Sequence, residues 1–356
     1  MTAVVTTGHG GYDKLELRRD YPVPTPKADE VLIKVSACGM NNTDINTRVG
    51  WYDDQVQAAT NDSVDDEGAG GWGGAVQFPR IQGADICGQV VAQGRAVSGD
   101  LLNKRIITDS WLRNWDDPLN RSYAGYVGSE CDGGFAQYVA LAAKNVHAVN
   151  SSWSDIELAT LSCAYSTAEN MLLRARIGQG ETVLVTGASG GVGSALVQLA
   201  KLRNATVIAL STANKAEALL EIGADAVIRR GQDEWQDVIR KVKDSDKVDL
   251  VADVVGAPVF EQVLSVMKRG ARYVTAGAIG GKTVELDISH LYLRDWELIG
   301  STVTTPNVFP NVVRYVEENK LKPLVAATYP LDNIQEAQEA FLKKKHVGNI
   351  VLEIPA

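Results

Sequence analysis

From Glu181 the chain reads ETVLVTGASGGVGSALVQLAKLRNATVIALSTANKAEALLEIGADAVI: an apolar run, a glycine-rich turn, a helix-periodic stretch and a second apolar run. Val192, Ala195, Leu196 and Leu199 recur at i, i+3, i+4 and i+7, which lays one apolar stripe along a helix packed on a sheet. The flanking runs, Thr182 to Thr186 and Thr206 to Leu210, are nearly all apolar or β-branched, as parallel strands buried on both faces are. This order is a βαβ unit. Further strands are predicted at Ala226 to Ile228, Asp249 to Ala252, Arg272 to Ala276 and Glu297 to Ser301, with helix-like segments between most of them. Six strands in that alternation predict a doubly wound sheet.

The first 150 residues follow another pattern. Short β-rich runs such as VLIKVSACG and CGQVVAQG, separated by Gly, Pro and Asn clusters, predict an irregular, mostly antiparallel β domain. Near the C-terminus the helix pattern PNVVRYVEEN precedes a strand and then NIVLEI, a candidate to return and complete that first domain. Residues 52 to 79 contain six acidic residues and no basic one, with glycines clustered around Trp72. Such a stretch buries little apolar surface, so a long surface loop is expected. A lid over a cleft, carrying Trp51, Tyr52 and Trp72, is the functional alternative.

The length of 356 residues and 45% hydrophobic content suit two domains with a core each. The formal charge of −9 disfavours nucleic acid or an anionic membrane as partner, since both need concentrated positive charge. Four cysteines at 38, 87, 131 and 163 form no C-x-x-C pair and fit a reducing cytoplasm. The N-terminal MTAVVTTGHGGYDKLELRRDY has no basic segment leading into an apolar one, and no run approaches the roughly 18 apolar residues of a spanning helix. A soluble, unprocessed, cytoplasmic protein is expected.

After the first strand of the βαβ unit, Ala188-Ser189-Gly190-Gly191-Val192-Gly193 gives the pattern A-x-G-x-x-G. A glycine pattern alone is weak, but between a strand and a helix it offers backbone N–H groups and a helix N-terminus to a pyrophosphate. A tight turn without a ligand is the alternative. An NAD site usually ends its second strand with a carboxylate for the ribose 2′-hydroxyl. Here the strand end offers Ser211, Thr212, Asn214 and Lys215. A carboxylate about 4 Å from a 2′-phosphate would cost on the order of several kcal/mol at an effective dielectric near 20, whereas a lysine attracts it. NADP(H) is therefore the expected cofactor, with Lys215 as a solvated helix residue the alternative.

The stretches PVPTPKADEVLIKVSACGMNNTDINTRVGWY, FPRIQGADICGQVVAQG, DGGFAQYVAL, LATLSCAYSTAENMLL, VLVTGASGGVGSALVQLAK, VDLVADVVG and HVGNIVLEI together resemble the medium-chain dehydrogenase/reductase superfamily, in its zinc-free quinone oxidoreductase-like and enone reductase-like branch. The resemblance covers essentially the whole chain. It implies a GroES-like β-rich catalytic domain of residues 1–154 and 304–356, a doubly wound Rossmann cofactor domain of residues 155–303, and an active site between them. It places the nicotinamide near Thr167, Val255, Ala278 and Thr302, and implies a homodimer joined through the Rossmann sheet edge near Glu297 to Val303.

Zinc-dependent members carry a Cys two positions before a Thr/Ser-Asp pair, a Gly-His-Glu triplet, and a second Cys just before the nicotinamide-contacting threonine. In this chain Asn41 stands at the first position, Gly83-Ala84-Asp85 replaces the triplet, and Cys163 alone matches. Cys38 lies three residues too early and reads as a core strand residue. A catalytic zinc needs three protein ligands, so no metal is expected. The structural zinc lobe is missing as well, since only Cys131 falls between Asp109 and Gly134. His9, His147, His290 and His346 lie outside these motifs and read as surface or loop residues.

The expected activity is NADPH-dependent reduction of a quinone or an α,β-unsaturated carbonyl substrate, whose delocalised charge can be stabilised by hydrogen bonds alone. Asn41 would orient the substrate, Thr43 would serve as hydroxyl relay or ribose contact, and Tyr52 would be proton donor or pocket wall. Local structural roles are the alternative for all three. Asp44 is expected to cap the following helix and Tyr165 to pack under the nicotinamide. Two other readings stay open: an alcohol dehydrogenase or carbonyl reductase with an altered Asp85/Cys163 metal site, and a catalytically silent NADPH-binding protein.

Overall fold

The structure is a computed structural model and describes residues 1–52 and 75–356. Most of the acidic 52–79 stretch, including Trp72 and the segment read as loop or lid, lies outside the described residues. Six parallel strands form one sheet: β1 (Thr182–Val185), β2 (Thr206–Ser211), β3 (Ala226–Arg229), β4 (Val248–Asp253), β5 (Met267–Thr275) and β6 (Glu297–Gly300). Their order is β3-β2-β1-β4-β5-β6, so the chain reverses direction across the sheet between β1 and β4. That is the doubly wound topology read from the sequence, and its switch point is where such sheets bind ligands. β1 is buried at every position, which explains its unbroken apolar pattern.

The second sheet has seven strands and is mostly antiparallel. Its path runs Val146–Ala148, Arg105–Thr108, Asp85–Gln93, Glu30–Met40, Asn349–Glu353 and Val325–Pro330, and Tyr138–Ala142 also pairs with Glu30–Met40. Only the last two strands on that path run parallel. Along Glu30–Met40 burial alternates from Glu30 to Ser36, with one face on the core, and then becomes complete as the strand dives toward the cleft. Cys38 is fully buried there, as the apolar reading required.

The C-terminal segment serves both halves. Its strand pairs antiparallel with the end of Glu30–Met40, setting Ile350 against Met40 and Leu352 against Cys38. Just before it, the Gly348 N–H donates to the Ser189 carbonyl at 2.9 Å, on the turn that follows β1. Helix Val308–Glu317 packs against helix Ser162–Arg174, and its Phe309, Val312 and Val316 are fully buried in the core that also holds Leu172 and Leu196. Tyr165 points into the interior and donates to the Lys322 carbonyl at 2.9 Å, so it packs in the core instead of against the cleft.

Leu352 is fully buried where the returning strand meets the second sheet. Leu352→Ala should lower the free energy of unfolding by about 2–5 kcal/mol, measured by denaturant titration.

Candidate functional site

The turn after β1 lies at the switch point. Gly187 adopts φ 55°, Gly190 is the N-cap of helix Gly191–Leu202, and a Cβ on Gly193 would sit 2.2 Å from the Gly187 carbonyl. No side chain fits at Gly193, so the helix N-terminus stays open to an approaching group. Ala188 is fully buried beneath the turn and does not reach the cleft, whereas Ser189, Gly190, Gly191, Val192 and Gly193 all line it.

The cleft has a volume of about 490 Å³ and takes its walls from both sheets. From the Rossmann side come Thr167, Ser211, Thr212, Lys215, Val255, Ala278 and Thr302, and from the other side Asn41, Thr43 and Tyr52. Thr167 and Cys163 are one turn apart on helix Ser162–Arg174, which puts both on the same face toward the cleft. Lys282 joins the two sides, donating to the Trp51 carbonyl at 2.6 Å with its ammonium 4.2 Å from the centre of the indole.

Val254 and Val255 reach the cleft because the end of β4 is held rigidly. The Asp253 carboxylate is fully buried and accepts from the Thr186 and Tyr273 hydroxyls, from Val255 N–H at 2.9 Å and from Gly256 N–H at 3.0 Å. Four donors satisfy a charge that burial would otherwise make costly.

At the other wall, Asn41 is the N-cap of helix Asn42–Arg48. Asp44 returns its carboxylate to the Asn41 N–H at 2.7 Å, a capping box, and its second oxygen accepts from Gly83 N–H at 3.2 Å. Next to it the Asp85 Oδ1 accepts from Cys163 N–H at 2.6 Å. Burial raises both Asp44 and Asp85 from 3.8 to about 7, with the Asp44 charge adding to the rise at Asp85. The Cys163 thiol is pushed up by burial and by Asp85, and it hydrogen-bonds with Tyr126 and Thr167. On the cleft wall Thr43 Oγ1 is buried without a hydrogen-bond partner, and the Asn41 amide lies beside Asp85, whose rise it partly offsets, without closing a full hydrogen bond to it. Tyr52 is raised by burial, so it stays protonated at neutral pH, and Asn46 hydrogen-bonds its hydroxyl.

The cleft also contains residues that sequence reasoning did not select. Trp111 and Tyr126 face each other across a two-stranded ribbon with ring centres 5.0 Å apart. Arg230, Lys344 and His346 gather near Lys215. Three consecutive lysines ahead of the HVG turn were the available signal for Lys344 and His346. Trp111 and Tyr126 lie in an irregular stretch with no periodicity to mark them. Among the described residues that line the cleft, none is Asp or Glu.

Two family models match the chain: the alcohol dehydrogenase GroES-like domain over residues 27–151 and the zinc-binding dehydrogenase over residues 191–318. A solved structure from Sinorhizobium meliloti 1021, provisionally described as an alcohol dehydrogenase, superimposes with a TM-score of 0.92 at 46% identity, covering 100% of this chain and 97% of that one. An acryloyl-coenzyme A reductase from Metallosphaera sedula is 27% identical over 99% of both chains. A quinone oxidoreductase from Homo sapiens is 26% identical over 95% of this chain and 93% of its own. An NAD-dependent alcohol dehydrogenase from Sulfurisphaera tokodaii is 28% identical over 94% and 95%. The chain belongs to the medium-chain dehydrogenase/reductase superfamily, in its quinone oxidoreductase-like branch, and is an oxidoreductase of that family, which binds a nicotinamide cofactor.

Because the folded chain holds Asp44 and Asp85 near 7, well above the 3.8 of an exposed aspartate, it binds more protons than the unfolded chain between those values. The stability they contribute is complete below about pH 4 and is lost as the pH rises through 7. Thermal unfolding should therefore show a melting temperature that falls from pH 5 to pH 8, and Asp85→Asn should flatten the slope.

Proposed function

We propose that this chain is an NADP(H)-dependent reductase of quinones or α,β-unsaturated carbonyl compounds, acting without a catalytic zinc. The observation that carries the reading is the polar wall of the cleft, where the buried Thr43 Oγ1 has no hydrogen-bond partner and the Asn41 amide has only the Asp85 carboxyl beside it. A donor left unsatisfied in the interior costs about 1–3 kcal/mol, and a substrate oxygen would recover that cost. The geometry of the glycine turn fits a dinucleotide, held by Ser189, Gly190, Gly191, Val192 and Gly193 at its phosphates and by Thr167, Val255, Ala278 and Thr302 at the nicotinamide. When bound, that cofactor supplies a hydride.

The residues of the chain then govern where charge and proton go. Asn41 and Thr43 donate to the substrate oxygen as negative charge builds there, an interaction stronger in the transition state than in the ground state. Tyr52, kept protonated by burial, delivers a proton to the enolate or to the hydroquinone monoanion left by hydride transfer. The aromatic walls and the Lys282–Trp51 contact exclude water.

The zinc-free part of the proposal rests on the donor set. Ala84 has no ligating atom and Asn41 offers only a neutral amide, which leaves Asp85 and Cys163, one short of the three protein ligands a catalytic zinc needs. Among the described residues no grouping of three or more His, Cys, Asp or Glu has the arrangement of a metal site. One observation favours the second reading, an alcohol dehydrogenase with an altered metal site: Asp85 and Cys163 are direct neighbours.

Preference for NADP(H) is supported by Lys215, beside Ser211 and Thr212 at the end of β2, and by the absence of a carboxylate among the described cleft residues. We also propose the domain division at residues 1–154 with 304–356 and 155–303, a cytoplasmic location, and a homodimer. Among the described residues no strand pairs with the outer edge of β6, Leu298 on it is 39% exposed, and nearby Ile288 and Tyr292 are 62% and 65% exposed. An apolar sheet edge of this kind is suited to pairing with a second copy. No helix among the described residues is long and apolar enough to cross a membrane.

Asn41→Ala should lower kcat with a quinone or enone by about 10²-fold while leaving cofactor affinity nearly unchanged. Steady-state kinetics with NADPH over a panel of quinones, enals, ketones and alcohols tests the substrate class, and no turnover with any of them would leave a silent cofactor-binding protein. One tightly bound zinc per chain whose removal abolishes activity would overturn the zinc-free mechanism. Leu298→Lys should convert the dimer to monomer in sedimentation velocity.

A further inference from the structure

We propose that Arg113 is a positioning residue that ties the aromatic wall of the cleft to the segment carrying Thr302, and thereby sets how broad a substrate the cleft admits. The inference rests on the reading above that nicotinamide and substrate share this cleft, and on neither the choice of cofactor nor the mechanism without zinc. Arg113 lies two residues beyond Trp111, and its side chain is 2% exposed. Its Nη1 donates to the Thr304 carbonyl at 3.0 Å, and its Nη2 donates to Asp109 Oδ2 at 2.5 Å and to Thr304 Oγ1 at 3.4 Å. One planar group thus joins segments 191 residues apart in the chain.

Both segments lead to the cleft. On one side, Asp109 Oδ1 accepts from Trp111 N–H at 3.1 Å, and Asn145 Nδ2 donates to the Asp109 and Trp111 carbonyls at 2.8 and 2.9 Å. Trp111 pairs with Tyr126, and Val127 N–H donates to the Ser110 carbonyl at 3.0 Å, so the two aromatic residues are held as one ribbon. On the other side, Ser301 is bonded to the first sheet and its helix. Its N–H donates to the Thr275 carbonyl at 2.8 Å, and its hydroxyl accepts at 2.9 Å from Asn170 Nδ2, one turn beyond Thr167. Thr302 therefore stands between Ser301, pinned to the first sheet, and Thr304, pinned to Arg113. Trp111, Tyr126, Thr167, Ser301 and Thr302 line the cleft, whereas Arg113 and Asp109 do not.

Stability alone is a poor reason for such a pair. Both side chains are almost wholly buried, and removing two charges from water offsets most of their attraction. Burial pushes the Asp109 carboxyl above its ordinary value, and the Arg113 guanidinium opposes that rise. The fork supplies direction that an apolar pair of the same volume would lack. Its donors stand at fixed angles, so the Thr304 backbone cannot slide past Asp109 without breaking a bond. The Trp115 ring lies against the fork, its centre 5.2 Å from Arg113 Cζ. The wall is thus held from behind by a group that lines no part of the cleft, and a wall that cannot retreat rejects rings too broad for it.

The test uses phenol, naphthol and phenanthrol, planar ligands of increasing breadth that carry one oxygen each and that NADPH and NADH do not reduce. Their affinities are measured by calorimetry on the full chain saturated with whichever of the two cofactors it binds more tightly. The proteins are wild type, Arg113→Lys, and the double variant Asp109→Asn with Arg113→Met. The lysine keeps a charge for Asp109 but has no fork; the double variant buries no unpaired charge and leaves an amide oxygen for Trp111 N–H. Wild type should discriminate between two successive members of the series, and both variants should reduce that discrimination by about 10-fold with cofactor affinity nearly unchanged. Folded variants that keep the wild-type discrimination, or a wild type that binds all three phenols alike, would overturn the role of Arg113. So would cofactor affinity lost in step with discrimination, or failure of both variants to fold by circular dichroism, since either marks the pair as merely structural. A wild type that binds a cofactor but none of the phenols would instead sink the reading of the cleft as a substrate site, and the proposal with it.

Discussion

The strand Asn349–Glu353 constrains everything else. It adds to the edge of Glu30–Met40, the strand that ends directly at Asn41, while Gly348 immediately before it bonds to Ser189 in the glycine turn. Two hydrogen-bonded contacts separated by one residue thus fix the distance between the phosphate-binding backbone and the substrate-facing amide. The chain must close on itself for the cleft to have a defined width. A Cβ at Gly348 would sit 2.5 Å from the Leu324 carbonyl, and the residue's φ is 90°, so the approach requires glycine.

Within that frame the cleft is electrostatically divided. One end gathers Lys215, Arg230 and Lys344 without a carboxylate, and suits the anionic half of a dinucleotide. The other end has its negative charge reduced by a different route. Asp44 and Asp85 carry pKa values raised to about 7, Cys163 is held as a thiol, and Tyr52 as a phenol. With less opposing negative charge, the neutral donors Asn41 and Thr43 can act on a developing oxyanion. Such a site suits substrates that spread their charge over a conjugated system.

Much of this was legible in the sequence. The doubly wound sheet followed from short apolar, β-branched runs alternating with helix-periodic stretches, an order that buried parallel strands and their crossover helices produce. The return of NIVLEI to the second sheet and the burial of Cys38 were visible for similar reasons. Nearly every residue assigned to the cofactor lies on the cleft, except Ala188, whose position in the glycine pattern concealed that its side chain faces inward. Tyr165 was misjudged because its place on the helix, between the cleft-lining Cys163 and Thr167, depends on a packing angle that sequence does not state. Trp111, Tyr126 and Lys344 were missed because each reaches the cleft through long-range pairing or a left-handed turn, and neither leaves a periodic trace.

The buried Asp253 shows how the two ends of the cleft differ in their response to solution conditions. Its charge is balanced by hydroxyls and backbone N–H groups, with no counter-ion that dissolved salt could screen or replace. The loop that carries Val254 and Val255 should keep its geometry from low to high ionic strength. The lysine end has no such insulation. Salt in the surroundings would therefore tune how firmly a dinucleotide is retained without disturbing the ledge on which its reactive ring rests, separating cofactor exchange from chemistry by physical means alone.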